Sequence, residues 1–394
     1  STCPHGPLDL ALYSACRLVG VRTLIFTPTA LPVYAYVRES VEDQPPGLLE
    51  EYAIRLQRVN AGETPALPEQ VALYMSSLRS DYDSAEPWYM RAQRDVVTPT
   101  AGRPFASRVA AALAHPSRWG DYVANASRVL VPPAPVPGWQ SRTMKMLGVP
   151  YEDSWMDARA WHEYRAAAKK MKHDLHREYE SLVAPFNAAD GPYVYVPLHY
   201  QPERTSMPNG GMYDDQTLLI DVLASAIPDG WRVVIREHPS QFSEKLFGEQ
   251  GRYPGYYKDL LQRGNTTLVG VDVPPFDLLD AATVVATVTG TAGWEALARG
   301  VPVLSFGYAW YRGCEGAYAI ESLDDARTAL ARIADGEPVR PAAVDAFAEA
   351  VMSYGSMVAL NASLPAGFGP TYEQNVTSIV GALTRFDTRA GITG

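Results

Sequence analysis

From residue 193 onward, short apolar runs alternate with segments whose apolar positions recur at helical spacing. The runs at 193–198, 231–236, 267–271, 282–288 and 302–306 read as strands. Between them, 215–226, 256–263, 276–280 and a segment opening near Thr291 read as helices. Strand followed by helix, repeated, predicts parallel βαβ units and a doubly wound sheet. Residues 323–334, 342–352 and 372–383 read as terminal helices.

The first half alternates more weakly. Helical spacing covers 8–19, 48–60 (Leu49, Tyr52, Leu56, Val59), 68–79 and 105–114, with strands at 23–27 and 128–131. Four prolines within 132–139 make a stiff connector. Residues 157–182 follow as a long charged helix with apolar positions at Trp161, Tyr164, Met171, Leu175 and Tyr179. A chain of 394 residues exceeds what one core usually serves. The expected division is therefore an N-terminal Rossmann-like domain over 1–139, a connector over 140–189 and a C-terminal ligand-binding domain over 190–340. Terminal helices over 341–394 are expected to pack back across the domains. The opening residues, Cys3-Pro4-His5-Gly6, read as a βα loop without its strand. The N-terminal domain is thus expected to lack its first strand in the chain as given, and the chain to be a piece of a longer protein.

Charge narrows the partners. A net charge of −10 offers no basic field for nucleic acid, and it disfavours broad adhesion to anionic lipid. Lys145, Lys169, Lys170, Lys172 and Arg177 form a local basic patch, expected to be a solvated helix face. Cys3, Cys16 and Cys314 match neither a metal-ligand spacing nor a disulfide framework, which suits a reducing compartment. No apolar run reaches the ~18 residues that span a bilayer, and no signal-peptide pattern opens the sequence. The expected location is the cytoplasm.

The chemistry concentrates in residues 287–304, Thr-Val-Thr-Gly-Thr-Ala-Gly-Trp-Glu-Ala-Leu-Ala-Arg-Gly-Val-Pro-Val-Leu. Strand, small-residue turn and helix follow one another here. Gly290 and Gly293 let backbone approach a ligand, and the helix-start N–H groups with the Thr289 and Thr291 hydroxyls form an anion site. Glu295 lies one turn further on, in reach of a ribose hydroxyl. A nucleotide-activated sugar fits this geometry; the alternative is a plain βα corner. Ligands of open parallel sheets lie beyond the carboxyl ends of the strands. Two further loops reach that rim: residues 199–204, with His199 and Gln201, and residues 237–240, with Glu237, His238 and Pro239. His238 can donate to a phosphate oxygen as the leaving nucleotide gains charge, with Pro239 stopping the strand before it. For His199 and Gln201 the alternative is loop hydrogen bonding; for Glu237 it is pairing with Arg236 or Arg232. Asp81-Tyr82-Asp83, with Glu86, is set aside as a metal site because it follows a helix, and no metal is expected.

Carrying these residues, the C-terminal half resembles the capsule polysaccharide biosynthesis family, which includes retaining Kdo transferases. The matching stretches are residues 195–203, 236–240, 288–296 and 306–311; Pro4, His5, Asp9 and residues 39–43 resemble its N-terminal half. The resemblance implies an α/β, GT-B-like fold, two Rossmann-like domains facing a central cleft, without an obligatory metal. It places His238, Thr289 and Thr291 on the phosphate of a CMP-ulosonic acid donor. Thr stands where relatives often carry Ser, which keeps the hydroxyl and narrows the pocket. His5, Asp9, Glu42 and Asp43 are the acceptor-side catalytic candidates beside His238.

The expected function is transfer of a Kdo-like sugar from CMP to a surface glycan or glycolipid, with no cofactor beyond the nucleotide sugar. Peripheral association with the inner membrane or with capsule assembly proteins accompanies that expectation. A UDP-sugar transferase or 2-epimerase on the same fold, and a non-catalytic sugar-nucleotide-binding subunit of a capsule complex, are the rival readings.

Overall fold

A computed structural model describes residues 4, 6–80, 158–202, 206–243, 246–358 and 370–389. The described helices are α1 (Pro7–Leu18), α2 (Pro46–Asn60), α3 (Glu69–Leu78), α4 (Ala158–Leu182), α5 (Gln216–Ala226), α6 (Tyr256–Leu261), α7 (Pro275–Asp280), α8 (Thr291–Ala298), α9 (Leu323–Ala334), α10 (Pro341–Tyr354) and α11 (Tyr372–Arg389). The strands are β1 (Ile25–Pro28), β2 (Tyr34–Arg38), β3 (Tyr193–Pro197), β4 (Arg232–Arg236), β5 (Thr266–Val269), β6 (Val284–Thr287), β7 (Val303–Ser305), β8 (Ala317–Ala319) and β9 (Ser356–Met357). The expected elements at 105–114, 128–131 and 132–139, and the boundary at 139/140, lie outside the described residues.

Six strands form one all-parallel sheet in the order β5-β4-β3-β6-β7-β8. The chain winds outward from β3 to β5, crosses back beside β3, and winds outward again to β8. That order is the Rossmann pattern, with a topological switch point between β3 and β6. The α/β class is that expected, and this sheet is Rossmann-like. Its central strands are covered on both faces, so they carry near-continuous Val and Ile rather than alternation: Val233, Val234 and Ile235 in β4 and Val284, Val285 and Ala286 in β6 are all fully buried. Local signals begin the helices. The Asp215 carboxylate accepts the Thr217 N–H at 3.0 Å to open α5, and the Ser322 hydroxyl accepts the Asp325 N–H at 3.2 Å to open α9.

The described N-terminal strands behave differently. β1 and β2 pair antiparallel, Ile25 opposite Arg38, and β2 pairs antiparallel with β9. No parallel βαβ unit occurs among described residues 6–80. The five residues between β1 and β2 are too few for the helical crossover that parallel strands need, so an antiparallel return follows. Strand β2, a Tyr-Ala-Tyr-Val-Arg run, was not expected from the sequence.

The described residues within 1–87, 178–239 and 255–394 form one compact unit. Its core is aromatic: Trp294 meets Trp310 at 4.6 Å between ring centroids, and Tyr52 of α2 meets Phe347 of α10 edge-on at 5.1 Å. Described residues 158–177, with 240–243 and 246–254, belong to a second unit. There Lys172 is buried, pairs with Glu249 at 3.1 Å and donates to the Ser243 carbonyl at 2.8 Å. The solvated face expected for the basic patch therefore does not include Lys172. Two buried partners hold its ammonium, while Lys170 keeps to the surface with Asp174 at 2.6 Å. Lys145 lies outside the described residues.

Candidate functional site

The switch point brings the loop after β3 against the loop after β6. Leu198 closes the first strand against β4, its N–H donating to the Arg236 carbonyl at 2.9 Å. His199 then turns into the gap and is buried. Gln216 holds its backbone on both sides: the His199 N–H donates to Gln216 Oε1 at 2.6 Å, and Gln216 Nε2 donates to the His199 carbonyl at 3.2 Å. The imidazole Nε2 lies 3.0 Å from Thr287 Oγ1 and accepts the Thr289 N–H at 3.4 Å. Thr287 Oγ1 itself accepts the Gly290 N–H at 3.2 Å. The hydroxyl proton is then left for Nε2, and the ring proton is assigned to Nδ1. His199 thereby pins the turn from Thr287 to Gly290 in one shape.

Helix α8 starts at that turn. Gly290 is its N-cap and brings no capping side chain of its own. A helix start left open in this way carries partial positive charge toward the rim. Thr289 and Thr291 flank it, both partly exposed. Packing within the fold by itself already requires both glycines. A Cβ at Gly290 would stand 2.9 Å from Thr287 Oγ1 and 3.2 Å from His199 Cε1. A Cβ at Gly293 would stand 2.1 Å from Tyr311 Oη, whose hydroxyl donates to the Gly290 carbonyl at 2.7 Å. Gly293 is what allows Tyr311 to brace the turn from behind.

Glu295 lies one turn into α8 and is largely withdrawn from water. Desolvation raises its carboxyl to about 7, against smaller opposing effects of the Thr291 hydroxyl and the Arg299 charge. Arg299, four residues further along the helix, does not pair with it: Arg299 is held by Asp280 and donates to the Leu78 carbonyl at 2.7 Å and the Ser80 carbonyl at 2.9 Å. Among the described residues Glu295 makes no ion pair. The Tyr311 phenol is also raised, by burial and by this carboxylate.

Beyond β4, Glu237 is fully buried. It accepts the Tyr257 hydroxyl at 2.7 Å on Oε2 and the His238 N–H at 2.7 Å on Oε1, while its own N–H donates to Tyr179 Oη at 3.1 Å. Its partners are thus these groups and not Arg236, which donates to the Val271 and Val273 carbonyls, nor Arg232, which pairs with Asp190. Glu237 shapes the loop; His238 emerges from it partly exposed, its ring 6.3 Å from that of Tyr200. Pro239 opens a 3-10 turn three residues after the strand ends. The Gln201 amide donates to the Asp214 side chain at 3.2 Å, the loop bonding weighed against a ligand role.

The acceptor-side candidates are spread locally. His5 lies outside the described residues. Asp9, exposed in the first turn of α1, folds its carboxylate back over Gly6. Glu42 is exposed and pairs with Arg17 at 3.0 Å, and Asp43 accepts the Ser40 hydroxyl at 2.5 Å. No hydrogen bond or ion pair among the described residues joins Asp9, Glu42 or Asp43 to the rim. No group of three or more His, Cys, Asp or Glu able to hold a metal occurs among the described residues; Asp81, Asp83 and Glu86 lie outside them. No described helix is long and apolar enough to cross a membrane.

Thr287, Gln216 and Tyr311 were not singled out from the sequence. Thr287 carried a signal, because it is a hydroxyl residue at the strand end that leads into the turn at 288–290. Gln216 carried none, since only the fold places it against His199.

Residues 154–352, half the chain, match the capsule polysaccharide biosynthesis protein family. The chain belongs to this family. It is 38% identical over 63 residues to the capsule polysaccharide modification protein LipA of Neisseria meningitidis, a stretch covering 16% of this chain and 9% of LipA. Among solved structures, HepE of Anabaena in complex with UDP and glucose is 18% identical, with 56% of this chain and 52% of that one covered and a TM-score of 0.29. WaaG, a glycosyltransferase involved in lipopolysaccharide biosynthesis, is 14% identical, with 79% and 94% covered and a TM-score of 0.26.

Proposed function

We propose that this capsule-family chain is a glycosyltransferase that moves a sugar from a nucleotide donor to a surface glycan or glycolipid. The observation that carries the reading is the construction of the switch point. A buried histidine fixes the turn at residues 287–290, an uncapped helix start faces outward beside two threonine hydroxyls, and a carboxyl waits one turn behind. Donor phosphate belongs at the helix start, where N–H groups and hydroxyls meet its charge. In this reading Glu295 takes a ribose hydroxyl, and His238 a phosphate oxygen as the bond to the sugar breaks. The reading needs no metal and no cofactor other than the nucleotide sugar, and the reaction is assigned to the cytoplasm, at the membrane face where capsule is assembled.

For the donor we propose a CMP-linked ulosonic acid such as Kdo, on the family resemblance and the His-Pro and Thr-Gly-Thr elements. GT-B-like facing domains complete the proposal, with acceptor groups drawn from His5, Asp9, Glu42 and Asp43. A thermal-shift panel of CMP, CDP, UDP and GDP, followed by a transfer assay, tests it. Stabilisation by CMP with transfer supports the proposal. Stabilisation by UDP alone moves the chain to UDP-sugar chemistry, and nucleotide binding without transfer makes it a non-catalytic binding subunit.

A further inference from the structure

We infer that Arg38 is an oxyanion subsite for the donor, an inference that rests on the nucleotide-sugar reading above. Arg38 ends β2 and is only 2% exposed. Among the described residues it makes no ion pair. Its Nη2 donates to Asn209 Oδ1 at 3.0 Å, and its Nε is buried without a partner. A buried guanidinium with one neutral acceptor is an uncompensated charge, which folds tolerate poorly unless something anionic arrives.

Its surroundings lead directly to the rim. The Asn209 carbonyl accepts the Tyr308 N–H at 2.7 Å. That carbonyl and the Thr289 methyl both lie within 2.8 Å of where a Gly307 Cβ would stand. The path from Arg38 through Asn209 and Gly307 to Thr289 is therefore continuous packing. Two more buried hydroxyls lack partners along it. Thr27 Oγ1 shares the β1–β2 face with Arg38, diagonal to it across the pair, and Ser206 Oγ begins the turn that carries Asn209. Cation, amide and two hydroxyls make a set that an oxyanion satisfies and a neutral ligand does not.

Asn209 is the neutral group that an anion displaces. The incoming oxygens take Nη2 from the amide and reach the Nε that the protein leaves open. Two groups of the donor carry this chemistry, the phosphate and the carboxylate of the sugar acid.

Three proteins test this: the wild type, Arg38→Met and Asn209→Asp, each melted and titrated calorimetrically with CMP, UDP, inorganic pyrophosphate and free Kdo. Arg38→Met is expected to melt no lower than the wild type without ligand, yet to bind the relevant probe at least tenfold more weakly. Asn209→Asp supplies an internal carboxylate, so it is expected to melt higher and also bind at least tenfold more weakly; it keeps the test open should Arg38→Met misfold. Losses with CMP, UDP or pyrophosphate assign the subsite to phosphate, and losses confined to Kdo assign it to the sugar carboxylate. Wild-type affinity for every probe in both variants overturns the inference and leaves the proposed function standing. A wild type that binds no nucleotide overturns both.

Discussion

Replacing Glu295 by Gln removes one ionisable carboxyl while keeping its shape and a polar end for the Thr291 hydroxyl. In the folded protein desolvation raises this carboxyl from 4.5 to about 7. An acid raised in the folded state holds its proton there while the unfolded chain has already released it, so stability falls as pH rises. Below about 4.5 both states are protonated and this group exacts no penalty. The penalty grows as pH climbs through that interval and is complete above about 7. From the width of the interval it amounts to about 3 kcal/mol, an upper bound because part of the residue still meets water. The Gln variant is thus expected to match the wild type near pH 4.5 and to exceed it by up to about 3 kcal/mol at pH 8. Urea unfolding followed by tryptophan fluorescence reads this core directly, since Trp294 and Trp310 lie in it. A stability gap that stays constant with pH, or widens toward acid, refutes the reasoning. The functional arm has the opposite sign: if the carboxylate accepts ribose hydroxyls, the stabilised Gln variant binds nucleotide about tenfold or more weakly, the loss of a charge-assisted bond. Unchanged affinity in that variant assigns Glu295 to the scaffold.

Four shorter predictions accompany it. His238→Ala is expected to lower turnover by roughly 10²-fold with an unchanged melting temperature, and Thr291→Val to do so less because backbone N–H groups remain; wild-type rates at saturating donor remove both from the phosphate site. Gly293→Ala drives a methyl into Tyr311 Oη, 2.1 Å away, and is expected to destabilise by about 1–3 kcal/mol in urea unfolding; a neutral result contradicts the bracing role of Tyr311. Glu237→Ala strands the buried Tyr257 hydroxyl and the His238 N–H, costing about 1–3 kcal/mol on the same measurement, and equal stability shows those bonds to be dispensable. Activity is expected to survive EDTA; complete loss restored by Mg²⁺ or Mn²⁺ returns attention to Asp81 and Asp83.

The parallel sheet was legible because its strands are buried on both faces and its helices on one, so composition alone separates them. Val233-Val234-Ile235 and Val284-Val285-Ala286 read as covered strands without any knowledge of their neighbours. The loops after β3, β4 and β6 followed, since a parallel sheet sends every strand end to one rim. Residue partners at that rim were not legible. His199 stands 88 positions from Thr287 and 17 from Gln216, and nothing local in the chain relates them. The same distance hid the cause of the glycines: Gly293 looked made for a ligand, whereas a tyrosine 18 residues later fills the space. Strand β2 and Arg38 were missed for a related reason. A five-residue run flanked by short connections has no period to detect, and its pairing with β9 comes from more than 300 residues away. What the sequence determined by itself was periodicity, burial class and the side of the sheet on which polar loops gather, because each depends on nearest neighbours along the chain. Which buried group meets which partner, and which buried charge is left without one, was decided only by the tertiary structure, which sets β3 beside β6 and Asn209 against Arg38 of a separate sheet.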